Sequence, residues 1–313
     1  MSLANLAHLH LLLNHFPTVG FSVGLGLYLI ALIRKSDDLK RASLVIFLGI
    51  GLLTIPTFMT GKAAQAAVAG QEGVSETLTA THEDAALLAF LFMTVTGVLS
   101  WLGLWQYRRT SHIPGWNMTA ILLISLITFG LMARAANIGG EIRHPEIQAA
   151  GDATAPSAEL LKASSVQGFV NTTNWAWPTM ETLHFIGLTM LMGVVLIVNL
   201  RMLGVAKNIS FSAVHRLLPW GVLGFVINVV TGIIFFVTVP DQYTQNIALE
   251  YKMALTMIAG ANVLYFTVFD EAWAVEGGMD APVSGKFMAG LTILLWIGII
   301  WLGRMMPFIG GSF

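Results

Sequence analysis

His8, His10 and His15 fall within the first 15 residues of a 313-residue chain, in the stretch HLHLLLNHFPTVGFSVGLGLYLIALI. His82, His144 and His184 stand at or near the ends of later apolar runs, while His112 and His215 lie in polar connections beside proline or arginine. Imidazole titrates near neutrality and is the commonest metal ligand. An ionisable residue placed in or at the edge of an apolar span is costly and marks function. Two imidazoles at like depth on different membrane helices would supply the axial ligands of a b-type haem. The competing metal is copper, which imidazole and thioether both suit, and the chain has 15 methionines. The methionines are spread through the spans, with close pairs only at Met190 with Met192 and at Met305-Met306, so haem b ranks first and copper second. With no cysteine in the chain, thiolate metal sites, iron–sulfur ligation, covalent haem attachment and disulfides are excluded.

The elements that must position these groups are membrane helices. Hydrophobic residues make up 56% and charged residues 11% of the chain, against roughly a quarter charged in an ordinary soluble domain. Apolar runs of about 20 residues with charges confined between them predict spans. Eight are expected, near residues 6–33, 42–60, 82–105, 118–136, 178–200, 217–239, 252–269 and 287–306. The first is read as a retained span, because no lysine or arginine precedes it as in a cleaved signal peptide. The net charge of -1 gives no basis for nucleic-acid binding. The expected architecture is an all-α integral membrane protein. Residues 1–136 form a first four-helix bundle, 137–177 an outer loop, and 178–313 a second bundle beside the first.

Orientation follows the basic residues near span ends. Ten of the 16 lysines and arginines, from Arg34 and Lys35 to Lys286, share the side of the RKSDDLKR turn, which is therefore read as cytoplasmic. Both termini then lie outside, periplasmic if the membrane is the bacterial inner membrane. The six histidines named first all fall on the outer half. His15 lies 19 residues from Arg34 and His184 lies 17 from Arg201, so at 1.5 Å per residue the two are at similar depth. His8, His10, His82 and His144 form a shallower tier, and Thr81 in THED is read as a helix cap. Arg134 and Arg304, near the outer ends of the fourth and eighth spans, are suited to haem propionates. LMARAANIGG and LGRMMPFIGG, with the matching His-Phe pairs, predict a parallel repeat of four spans plus four.

Few polar residues sit at mid-span, none of them acidic, which argues against a proton-coupled carrier. No nucleotide, protease or zinc-hydrolase motif is present, so catalysis confined to this chain is not indicated. The segments HFPTVG, TGKAAQAAV, GVSETLTATHEDAAL and GGEIRHPEI resemble bacterial multi-spanning membrane proteins with a His-Phe-Pro first helix. The second half, LHFIGLTMLMGVVLIVNLRMLG with LLPWGVLGFVINVVTG, is similar to another four-helix membrane family and to the copper-resistance D type of membrane domain. The resemblance implies association with respiratory or c-type cytochrome systems, with His15, His82, His144 and His184 at the matching positions. Lys252 stands at the place of His82 in the second half, which favours one site over one per half. The expected role is an electron-transfer subunit that works with other membrane subunits, between quinol and a periplasmic cytochrome c. The alternatives are a structural or docking subunit and a copper-handling protein.

Overall fold

The computed structural model describes residues 3–71, 73–142, 160–268 and 275–309. Among the described residues there are helices and turns and no strands. Arg143, His144 and the Gly310-Gly311 pair lie outside the described residues. Eight helical spans are long and apolar enough to cross a membrane: Leu6–Arg34, Asp37–Val68, Glu76–Thr110, Gly115–Glu141, Ala176–Met202, Phe211–Thr238, Ile247–Val268 and Val283–Met305. The chain is thus a multi-pass, all-helical membrane protein. It divides into two compact units, Met1–Ser165 and Val166–Phe313.

The first span is made of three pieces. Helix α1 (Leu3–Leu13) is followed by a π-turn over Phe16–Gly20 and by α2 (Phe21–Arg34). Pro17 falls at the start of the π-turn, where its missing N–H costs no helical hydrogen bond. Thr18 sends its hydroxyl back to the carbonyl of Asn14 at 3.0 Å, occupying an acceptor that the wider turn leaves over.

Helix α3 (Asp37–Val68) begins at once, since the charged turn shrinks to two residues. Lys35 adopts a left-handed conformation, and Ser36 caps α3 by accepting from the Leu39 amide. Asp37 and Asp38 favour the positive helix end. Pro56 is carried inside α3, where Thr54, Thr57 and Thr60 bond to carbonyls one turn back. Helix α3 continues through GKAAQAAV, which composition alone marks as a connection. Helix α4 (Glu76–Thr110) likewise starts earlier than expected: Ser75, not Thr81, is its cap. Thr81 lies inside the helix and bonds to the Thr77 carbonyl.

Helix α5 (Gly115–Glu141) completes the first unit, in which α3 packs on α1, α2 and α4, and α4 packs on α5. Gly51 and Gly97 let α3 and α4 approach closely, since a Cβ on Gly51 would stand 3.3 Å from the Gly97 Cα. Small residues at such crossings replace the hydrophobic drive that lipid removes. Buried polar pairs supply directionality, with Thr96 against Thr128 at 3.0 Å and Tyr28 donating to the Met118 carbonyl at 2.8 Å.

A short helix α6 (Ala163–Thr172) leads to the second unit, built on α7 (Ala176–Met202), α9 (Leu218–Thr238), α11 (Ile247–Val268) and α12 (Val283–Met305). The small turns α8 (Phe211–Val214) and α10 (Pro240–Thr244) lie at the ends of α9. Helix α7 packs on α9 and α12, and α12 packs on α11. Arg201, fully buried at the end of α7, donates to the carbonyls of Ile209, Glu276 and Met279 and so ties down two connections.

Candidate functional site

In the first unit the end of α1 with the π-turn, the end of α3, the start of α4 and the end of α5 surround a cavity of about 590 Å³. Such a volume takes a small organic ligand or cofactor. Its wall is largely apolar, with Pro17, Phe58, Phe90 and Met132 among the lining residues. Its ionisable groups are His10, His15, His82 and an ion pair in which Lys62 Nζ meets Glu83 Oε2 at 2.6 Å, and Asn14, Gln65 and four threonines add neutral polar groups. The other oxygen of Glu83 is buried without a hydrogen-bond partner.

His10 and His82 are held in the same way from different helices. His10 Nδ1 lies 2.9 Å from the Thr57 carbonyl and 3.3 Å from Thr60 Oγ1. His82 Nδ1 lies 2.9 Å from the Ala135 carbonyl. A carbonyl only accepts, so Nδ1 of each ring carries the proton and each Nε2 keeps a bare lone pair. A ligating histidine is oriented by such a bond from its other nitrogen. Each ring also rests on a glycine. A Cβ on Gly61 would come within 3.3 Å of His10 Cε1, and one on Gly139 within 2.9 Å of His82 Cε1. Both rings line the one cavity.

The other expected residues are placed as follows. His15 reaches the cavity rim but is exposed, and its Nδ1–H donates to the Leu11 carbonyl of its own helix at 3.0 Å. His8 is exposed and does not line the cavity. Arg134 is exposed on α5, one residue before the Ala135 carbonyl that holds His82. His184 belongs to the second unit, where its Nδ1 lies 2.7 Å from Thr231 Oγ1. Arg304 is exposed with its guanidinium 5.8 Å from the Phe308 ring centroid. The structure therefore brings His10 and His82, both members of the shallow tier, onto one cavity wall. Two sequence signals point to His10 in hindsight. Thr60-Gly61 and Thr231-Gly232 are the same dipeptide at the ends of the second and sixth spans, and each sits beneath a histidine.

The second unit reproduces the device with one change. Gly232 faces His184, whose Cε1 would lie 3.9 Å from an added Cβ. A Cβ added to Gly303 on α12 would lie 3.4 Å from Lys252 Nζ, as one on Gly139 of α5 would meet His82. Among the described residues, no three histidines and carboxylates gather as a bare metal ion would require.

Comparison of the chain with the models of known families, with curated proteins and with solved structures finds no match.

Proposed function

We propose that the first unit holds a b-type haem between His10 and His82, and that the protein serves as the electron-transfer subunit of a membrane complex. The observation that carries this reading is the pair of imidazoles on α1 and α4. They line one cavity, each with Nδ1–H bonded to a backbone carbonyl and each ring seated on a glycine. A tetrapyrrole brings four of its own nitrogens to the iron and needs only two from the protein. Two histidines without a third ligand suit it better than they suit a bare ion. Bound there, haem supplies one-electron transfer.

The protein's part is orientation and exclusion of water. The carbonyls of Thr57 and Ala135 set the tautomer and rotation of the rings. Phe58, Phe90 and Met132 keep the space between them apolar. Lys62 and Glu83 put a compensated pair of charges on the wall instead of a net charge.

The positive-inside bias places the cavity end of the first unit on the outer face, with both termini periplasmic in a bacterial inner membrane. On that face the electron partners are quinol in the lipid and a soluble periplasmic cytochrome c. The two units are read as a parallel four-plus-four repeat in which His10 corresponds to His184 and His82 to Lys252.

The test is an absorbance spectrum of gently extracted full-length protein, with haem and copper assayed on the same sample. One haem per chain is expected, lost in His10→Ala and in His82→Ala and kept in His15→Ala. A wild-type spectrum without a Soret band, or stoichiometric copper in its place, overturns the reading.

A further inference from the structure

The ion pair on the cavity wall leaves donors unused. Lys62 follows Gly61, on which His10 rests, and Glu83 follows His82, so the pair ties α3 to α4 beside the imidazoles. Lys62 Nζ donates to Glu83 Oε2 at 2.6 Å and to Gln65 Oε1 at 3.2 Å. An ammonium carries three N–H groups, so one remains. A lysine only donates, so Gln65 turns its oxygen toward Lys62 and its Nε2 away. That amide nitrogen makes no hydrogen bond with any described residue. Lys62 and Gln65 both line the cavity, one turn apart on α3. Their 3.2 Å contact therefore sets an N–H of each within reach of one acceptor group.

The rest of the wall indicates what that group is. Lys62 is the one lysine or arginine among the described lining residues. Arg134, expected from the sequence to meet haem propionates, is exposed and does not line the cavity. A carboxylate has two oxygens side by side and takes charge-assisted bonds from an ammonium and an amide together. Glu83 Oε1, buried without a partner, repels a second carboxylate, which places the ligand's on the Gln65 side of the lysine.

We propose that Lys62 and Gln65 hold a propionate of the haem, Lys62 through its third N–H and Gln65 through Nε2. This rests on the haem reading given above and deepens it. Two axial imidazoles leave the macrocycle free to turn about the line between them. A propionate held on α3 fixes that rotation, so Lys62 and Gln65 are positioning residues.

The experiment is titration of full-length protein, produced without haem, with ferric haem b and with its dimethyl ester in detergent. Soret absorbance gives both affinities. The ester keeps the iron and the ring and loses both carboxylates. Wild-type protein should prefer the free acid about tenfold, the worth of one charge-assisted hydrogen bond. Lys62→Met should bring the two affinities level, and Gln65→Leu should cut the preference several-fold. The preference is a ratio measured on one preparation, so a loss of folded protein changes both affinities alike. Glu83→Gln removes the repelling charge and frees the lysine, and should widen the preference. A preference reduced there as in Lys62→Met would make the ion pair structural and overturn the proposal. Equal affinities in the wild type, or a preference unchanged in both Lys62→Met and Gln65→Leu, would overturn it and leave the haem reading standing. Binding of neither form would remove the haem reading and this inference with it.

Discussion

The two units hold nearly the same frame around different chemistry. In the first, an imidazole over Thr60-Gly61 meets a second imidazole over Gly139. In the second, an imidazole lies over Thr231-Gly232 and a lysine over Gly303. The frame is a glycine beneath each functional side chain and a hydrogen bond on each Nδ1. What differs is the second group. On the reading proposed above, a second bare nitrogen makes the first unit's pair a metal-type site, whereas a protonated lysine has no lone pair to give a metal.

The sharpest way to break this contrast is to write the second unit's pattern into the first. His82→Lys should abolish the haem band altogether. A retained band with shifted maxima would mean that lysine ligates, and the contrast between the units would fall. A smaller effect is expected from the glycines. Gly139→Ala would put a methyl 2.9 Å from His82 Cε1, and Gly61→Ala would put one 3.3 Å from His10 Cε1. Haem occupancy should drop several-fold in the former and less in the latter. Gly232→Ala, whose methyl would lie in ordinary contact 3.9 Å from His184 Cε1, should leave the haem band unchanged. The reverse order would show that the glycines serve helix packing alone.

The ion pairs give the mildest test. Lys62 and Glu83 are 19% and 14% exposed and meet at 2.6 Å. Lys62→Met leaves the carboxylate without its partner and should lower stability by about 2 kcal/mol, under the 3–5 typical of a fully buried pair. Thermal unfolding in detergent measures it. Asp280 in the second unit instead bridges Lys207 at 2.9 Å and Lys286 at 3.4 Å in the open. The two lysines hold its carboxyl below the usual range. Its contribution is therefore present above the ordinary carboxylate pKa of about 4 and disappears as pH falls through the depressed value. Asp280→Asn should change the unfolding midpoint slightly at neutral pH and not at all in strong acid.

The spans were legible because hydropathy is a sum over many residues, and no single local choice changes it. Their ends were not. Asp37-Asp38 and Glu76 read as charges between spans, whereas Ser36 and Ser75 make them first turns of helices. His82 was legible as a polar residue opening an apolar run. His10 was legible to its tier, since depth counted back from Arg34 puts it level with His82, but the break at Phe16–Gly20 left its facing direction unread. The match of His15-Phe16 to His184-Phe185 is likewise a match of letters. In the structure it is His10 whose ring, like that of His184, lies on a Thr-Gly pair.

That π-turn has a mechanical meaning. One surplus residue in a turn rotates everything before it by about 100° relative to an unbroken helix, for a rise of about 1.5 Å. The first span thus behaves as a shaft with a slip joint, in which height in the bilayer and facing direction are set separately. Taking one residue out of Phe16–Gly20 would leave His10 at almost the same level and aim it away from α4, with every ligand still present in the sequence.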